Sequence, residues 1–337
     1  MRVADAAVVD VANRFDQLAE KALGGEPLTR AEALFVLASD DDDLLALLHA
    51  AFRVRRAYFG RKVKLNMLVN AKSGLCPEDC GYCSQSKVST APVERYGMLD
   101  EATLLAGARE AWARRAGTYC IVASGRRPTK RELDRVTSAV RAIKAELPIK
   151  ICACLGLLSP DDAAALAAAG VDRYNHNLNT SEDRYAEITT THTYADRLAT
   201  LAAATAAGIS PCAGFIAGMG EQDDQLVDLA FALRSIDADS IPVNFLNAVD
   251  GTPLEGRHDL DPRRCLKILA LLRFVCPTKE IRVAGGREVN LGSLQPLALY
   301  AANSIFIGDY LTTPGQAAEA DYATIADLGF EVEKCAL

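Results

Sequence analysis

The chain has no surplus of positive charge and no long apolar run, and no secretion leader is expected of it. Its 337 residues carry 37 lysines and arginines against 44 aspartates and glutamates, a formal net charge of −7. No global basic field draws in a polynucleotide or an anionic membrane, so neither is expected as a partner. Nowhere do apolar residues run together for the roughly 18 positions that a spanning helix needs. The start, Met1-Arg2-Val3-Ala4-Asp5, meets an acid before any apolar run forms, and a cytoplasmic protein is expected. Ten cysteines in such a chain point to metal ligation or catalysis rather than to disulfides. No low-complexity stretch, linker or self-similar repeat divides the sequence. With 50% apolar and 24% charged residues it reads as a globular protein, long enough for one large barrel or two ordinary domains.

Three of the cysteines stand together at the spacing C-x3-C-x2-C, in Cys76-Pro77-Glu78-Asp79-Cys80-Gly81-Tyr82-Cys83. Soft thiolates select iron–sulfur clusters, zinc or copper(I), and a run this compact wraps one site. A structural zinc or a fully ligated cubane takes four protein ligands, yet no fourth Cys or His lies within about twenty residues on either side. One iron is left open. A zinc knuckle with a distant fourth ligand is the competing reading, disfavoured because structural sites are usually closed by paired ligands. The spacing resembles the signature of the radical S-adenosylmethionine (SAM) enzymes, in which the open iron is chelated by the amine and carboxylate of SAM.

Residues 1–60 read as a helical cap: Thr29-Arg30-Ala31-Glu32 is a capping box, and Asp40 to Asp43 put acid at the start of a helix running towards Phe52. Arg53-Val54-Arg55-Arg56 is expected on a solvated helix face. From residue 61 to 337 short β-branched runs alternate with Ala- and Leu-rich helical stretches. Strands are expected at Val63–Val69, Thr118–Ala123, Ile149–Leu155, Val171–Leu178, Ile209–Ala217, Ile241–Leu246, Glu280–Ala284 and Ser304–Ile307. Asp100, Ser159-Pro160 and Asp261-Pro262 are helix starts, and Gly170 and Gly208 are helix ends. Eight strand–helix units fit an α/β (β/α)8 TIM-type barrel better than an open sheet. Chemistry in such barrels gathers at the C-terminal ends of the strands, and the three-cysteine run follows the first strand directly.

Residues two apart on a strand share a face. On that rule the second strand offers Cys120, the third Cys152 and Cys154, and the fifth Cys212. The fourth offers Asn175, Asn177 and Asn179, the sixth Asn244 and the seventh Arg282. One buried cysteine is ordinarily a small hydrophobe. Four of them on three strands of one barrel, beside a guanidinium, favour a second metal cluster.

Together with Tyr174-Asn175-His176-Asn177-Leu178-Asn179-Thr180, Gly214-Phe215-Ile216-Ala217-Gly218-Met219-Gly220-Glu221, Arg282-Val283-Ala284-Gly285-Gly286-Arg287-Glu288 and Ala302-Asn303-Ser304-Ile305-Phe306, the cysteine run resembles the biotin synthase family from about Val63 to Thr313. The resemblance implies that Cys76, Cys80 and Cys83 hold the [4Fe–4S] cluster that binds SAM, with Tyr82 beside the adenine. It implies a [2Fe–2S] cluster on Cys120, Cys152, Cys212 and Arg282. Asn175 and Asn177 would bond substrate and SAM, Asn179 the SAM ribose, where some members carry Asp. Gly214, Ile216, Gly218 and Glu221 would lie along the adenosyl group, with Arg197 near SAM. Lys72, Asn244, Thr312 and Thr313 match positions that hold the substrate's ureido ring or carboxylate.

No side chain is expected to act as a catalytic acid, base or nucleophile: the radical comes from SAM and the sulfur from the auxiliary cluster, turning dethiobiotin into biotin. Flavodoxin or ferredoxin as electron donor and a homodimer follow from the same resemblance. Cys154 and Cys265 leave open an auxiliary cluster with more iron, whereas Cys276 and Cys335 read as structural. Gly285-Gly286 is read as allowing close backbone approach near Arg282. Of the four histidines only His176, within the asparagine strand, is near the expected site. The alternatives are another radical SAM enzyme, such as a carbon-skeleton mutase or a hydrogenase-cofactor maturase, and a non-catalytic cluster carrier.

Overall fold

The computed structural model describes residues 3–334, so Cys335 lies outside the described residues. Helices Val3–Leu23, Arg30–Leu37 and Leu44–Phe59 precede the strands, which are β1 (Lys62–Lys72), β2 (Thr118–Ala123), β3 (Lys150–Cys154), β4 (Arg173–Asn175), β5 (Ser210–Cys212), β6 (Phe215–Ala217), β7 (Ser240–Phe245), β8 (Glu280–Val283), β9 (Ser304–Phe306) and β10 (Glu331–Val332). The pairings are parallel, and β1 meets β9 to close the ring. β5 and β6 share one strand position and β10 lies outside, so the closed barrel has the eight positions expected of a (β/α)8 fold.

The first strand runs three residues beyond the expected Val69, to Lys72, and two others fall short of expectation, both at the site. The fifth is broken at Ala213-Gly214, where the chain sinks against β7: a Cβ on Gly214 would stand 1.8 Å from the Pro242 carbonyl oxygen. The fourth ends at Asn175 rather than Leu178. The N–H groups of His176 and Leu178 still donate to Cys212 and Gly214, but the side chain of Asn177 takes the Gly214 N–H at 3.0 Å. Asn179 then turns to a left-handed φ of 68°. Strict alternation therefore fails after Asn175, and Asn179 reaches the interior through that turn rather than through the pleat.

Local signals hold elsewhere. Thr29 and Glu32 form the capping box, Asp100, Ser159 and Asp261 accept from first-turn N–H groups, and Gly170 closes its helix at φ 97°. The N-terminal helices pack Phe15, Leu47 and Leu48 into one core with the helix Pro262–Val275 and the outer faces of β6 to β9. Arg55 is not on a solvated face. It is fully buried, donating to the carbonyls of Gly60, Lys62 (2.6 Å) and Ala302 (3.3 Å), with its guanidinium 4.4 Å above Phe330. A helix end whose carbonyls point inward needs such a donor.

Candidate active site

A cavity of about 400 Å³ opens at the C-terminal end of the barrel, with Cys76, Cys80 and Cys83 at its rim and Cys120 and Cys152 at its floor, where Cys212 is buried just behind the wall. At the rim, Cys76, Cys80 and Cys83 sit on the loop after β1. Burial pushes all three thiols up, Cys83 to about 12, while the backbone N–H groups of Glu78 and Gly125 are directed at Cys76 and those of Gln85 and Ser86 at Cys83. Such donors suit a thiolate, the form that binds iron, so the residues fit a cluster. Among the described residues no three His, Cys, Asp or Glu side chains close on a point that one ion could occupy. A cubane asks for something else, one thiolate at each of three separate irons.

The loop is fastened from behind. Asp79 accepts from Thr189 Oγ1 (2.8 Å), Thr190 N (2.9 Å) and Thr190 Oγ1 (2.5 Å), which outweigh its burial and hold its carboxyl well below the usual range. Glu78 accepts from Thr191 and His192. His192 Nε2 in turn faces Arg197 Nη2 at 2.7 Å, so Arg197 donates and the imidazole proton stays on Nδ1 towards Glu78. Each of the other Arg197 nitrogens also has a partner, Nε on Tyr185 and Nη1 on the Asn177 carbonyl (2.8 Å). Neither Glu78 nor His192 was singled out from the sequence; only their contact across 114 positions reveals them.

At the floor, Cys120, Cys152 and Cys212 are buried together with Leu68, Val122 and Phe306 around them. Cys120 and Cys152 are register partners, and the Cys152 thiol is in hydrogen-bonding reach of both others. The adjacent Cys152 thiol, with Arg282 and Arg173 nearby, brings Cys212 down against the cost of burial, and Cys120 also falls. Cys152 rises well above the ordinary thiol value because the neighbouring Cys120 and Cys212 sulfurs favour its protonated form and it is buried. Arg282 spends Nη2 on Glu280 (2.6 Å) and Ser240 (3.0 Å) and Nε on Ser304 (3.4 Å), while Nη1 makes no hydrogen bond among the described residues. Three thiols plus one free guanidinium nitrogen form a donor set that fits a small cluster. Beneath lies a buried ionic layer in which Glu280 also accepts from Lys64 (3.1 Å) and Arg173 (2.6 Å). Burial raises the Glu280 carboxyl, but Arg282, Lys64 and Arg173 outweigh it and hold it well below the carboxylate range.

Cys154 lines the cavity above Cys152, opposite Val122. Cys265 does not reach it; it sits in the helix Pro262–Val275 in the outer core, with its thiol 4.0 Å from the Asn290 carbonyl. Cys276 is likewise in that core, against the Ala230 carbonyl.

Of the other expected site residues, Tyr82, Asn175, Asn177, Asn179, Arg197, Ile216, Asn244, Thr312 and Thr313 line the cavity. Asn175 Nδ2 contacts Asn177 Oδ1 (3.0 Å) and Cys212 Sγ (3.4 Å). The buried Nδ2 of Asn179 has no partner among the described residues, a donor awaiting an acceptor in the cavity. Asn244 spans Gly285 N–H (3.1 Å) and the Phe215 carbonyl (3.2 Å). Gly286, at φ 77°, would bring a Cβ within 2.0 Å of the Phe245 carbonyl oxygen, as the close-approach reading required. Thr312 Oγ1 lies 2.7 Å from Ser84 Oγ, tying the C-terminal loop to the cysteine loop. Lys72, Gly214, Gly218 and Glu221 are not on the wall. Lys72 pairs with Glu132 at 2.8 Å. Glu221 accepts from Gly218 N–H (2.6 Å) and Met219 N–H (2.8 Å), so it shapes the turn after β6 rather than the cavity. His176 and Tyr310 also line the cavity; burial keeps His176 neutral and its Nε2 is unpartnered.

Comparison with known proteins supplies the family. Residues 72–233 match the Radical SAM superfamily model, and residues 242–331 match the Biotin and Thiamin Synthesis associated domain. A biotin synthase of Bacillus pumilus is 62% identical over 323 residues, 96% of this chain and 98% of its own. One from Geobacillus kaustophilus is 63% identical over 316 residues, 94% and 95% of the two chains. Among solved structures, methylornithine synthase (PylB) superposes with a TM-score of 0.81 at 20% identity, covering 94% of this chain and 98% of that one. The FeFe-hydrogenase maturase HydG from Carboxydothermus hydrogenoformans gives 0.80 at 17% identity, covering 100% and 86%. At those identities the two structures speak for the barrel alone.

Proposed function

Because this chain belongs to the biotin synthase family, we propose a division of labour among its residues for the family's reaction, the radical insertion of sulfur into dethiobiotin to give biotin. It is a radical SAM enzyme, a sulfurtransferase that carries a [4Fe–4S] cluster and uses SAM. When bound, that pair supplies a radical able to take hydrogen from an unactivated C–H bond, and a [2Fe–2S] cluster supplies the sulfur; no side-chain base approaches such chemistry.

Cys76, Cys80 and Cys83 hold the first cluster, on a loop kept in place by Asp79 and the threonines behind it. Tyr82, Asn177, Asn179, Arg197 and Ile216 form the wall for SAM, while Gly214, Gly218 and Glu221 set the course of the backbone there. Cys120, Cys152, Cys212 and Nη1 of Arg282 hold the second cluster, with Cys154 the nearest thiol for a larger one. Asn175, Asn244, Thr312 and Thr313 orient dethiobiotin between the two. Lys72 joins them by exchanging Glu132 for the substrate carboxylate. Enclosure by the barrel keeps water and stray hydrogen donors from the reacting carbon.

One juxtaposition carries the reading: a single cavity with three thiols at its rim and, beside a guanidinium at its floor, Cys120 and Cys152 on the wall with Cys212 buried against them. A lone-cluster radical SAM enzyme has no use for the second set. We further propose a cytoplasmic homodimer reduced by flavodoxin or ferredoxin, with residues 1–60 as a cap on a barrel of residues 61–337. Among the described residues no helix is long and apolar enough to cross a membrane.

The test is anaerobic turnover of reconstituted protein with SAM, dithionite and dethiobiotin, following biotin and 5′-deoxyadenosine by mass spectrometry. Cys152→Ala should still cleave SAM but form no biotin; biotin from that variant would overturn the sulfur assignment. Mössbauer spectra of a Cys76/Cys80/Cys83 triple alanine variant should retain a [2Fe–2S] signal.

A further inference from the structure

The reaction takes one electron from outside for each SAM cleaved, and it must enter near Cys76. Around that residue the surface is unlike the rest of an acidic chain. Lys87, Arg95, Arg126, Arg127, Lys130 and Arg131 are all exposed. Arg95 lies over Gly74, where a Cβ would meet its Cγ at 2.7 Å, and Gly125, whose N–H is directed at Cys76, begins the run Gly125-Arg126-Arg127-Pro128-Thr129-Lys130-Arg131. Only Arg126 approaches an acid, Glu78 at 3.8 Å; the others make no ion pair among the described residues. Within residues 75–97 and 124–131 the acids Glu78 and Asp79 are committed to His192 and the threonines, which leaves Glu94 as the one exposed carboxylate.

Two further features point outward. Lys130 and Arg131 open the helix Lys130–Glu146, the end at which positive charge is unfavourable, so local helix stability does not explain them. Leu75, 61% exposed and held at a φ of 56°, and Val88, 43% exposed, put apolar side chains among the cations. Exposed apolar side chains on segments rich in unpaired cations suit a transient protein interface whose partner carries the opposite charge.

We propose that this surface docks a small acidic one-electron carrier protein. The carrier loses one electron and the cluster on Cys76, Cys80 and Cys83 gains it. The inference rests on the proposed function, and its test separates the two. Binding of oxidised flavodoxin is measured by surface plasmon resonance against wild type, the triple variant Arg127→Glu/Lys130→Glu/Arg131→Glu, and Lys87→Glu on the neighbouring loop. At low ionic strength the triple variant should bind at least about tenfold more weakly and Lys87→Glu several-fold more weakly, and the gap should close in 0.5 M salt. Its thermal midpoint should hold or rise, since acids replace bases at a helix start. Biotin formation with dithionite should be unchanged, whereas flavodoxin-driven turnover falls. Binding within twofold of wild type, or an equal loss with dithionite, would overturn the docking surface. Absence of biotin from wild type with dithionite would instead overturn the function, and the binding measurement would still decide the surface.

Discussion

Replacing Glu280 with glutamine keeps the side chain's shape and removes the anion on which three buried cations depend. Glu280 is 7% exposed and pairs with Lys64, Arg173 and Arg282, themselves nearly enclosed, while Ser240 and Ser304 donate to the same carboxylate. Removing one partner of a buried ion pair costs about 3–5 kcal/mol, because the remaining charge is left uncompensated. Here more than one charge is stranded, but burial already lowers the Lys64 pKa, so that ammonium can shed its proton and relieve part of the strain. The expected loss is therefore about 3–5 kcal/mol rather than a multiple of it. Lys64→Met should cost less, since Glu280 keeps both guanidiniums, and the double variant should be no worse than Glu280→Gln alone. Urea unfolding of metal-free, reduced protein by far-UV circular dichroism measures all three. A loss below about 1 kcal/mol for Glu280→Gln would refute the reasoning, as would strict additivity. After reconstitution in the triple alanine background, the same variant should retain less of the floor cluster, because Arg282 loses its anchor.

Three other outcomes are expected. Gly214→Ala should destabilise by about 3 kcal/mol, since its methyl group has only 1.8 Å to the Pro242 carbonyl oxygen and backbone must move; a shift under about 1 kcal/mol in urea unfolding would count against that packing. Asp79→Ala should speed the loss of iron to a chelator by on the order of tenfold while leaving the floor cluster alone, read by absorbance after reconstitution. Burial, aided by Arg197, holds the His192 pKa below its ordinary value although Glu78 opposes this; Tyr185 and Arg126 are its other polar neighbours. The unfolded state then binds the extra proton, so this contribution to stability is complete above about pH 6.5 and is lost as pH falls below it, by at most about 1.4 kcal/mol per unit. His192→Gln should flatten that dependence in metal-free protein, and an unchanged slope would assign it to another group.

Much of this protein is decided by local patterns, and those were legible in order along the chain. A three-thiol spacing defines an iron–sulfur site because the ligands are neighbours in sequence. Caps such as Thr29 with Glu32, and the Gly170 helix end, are set within a few residues. The alternation of β-branched and Ala-rich runs implied eight barrel positions, and Cys120, Cys152 and Cys212 could be aimed inward by parity alone. Other features depend on partners that sequence separation hides. Arg55 reads as a surface charge until Ala302 and Phe330 fold over it. Glu221 reads as a ligand contact, yet its carboxylate is taken by two backbone N–H groups of its own turn. Asn179 escapes the two-residue rule through a left-handed turn, and Cys265 is removed from the site by the helix that carries it. The ionic floor under the cysteines draws on β1, β4, β7, β8 and β9 at once. Charge pairing and burial are properties of what surrounds a group in space, so only barrel closure could settle which charges meet water and which meet one another.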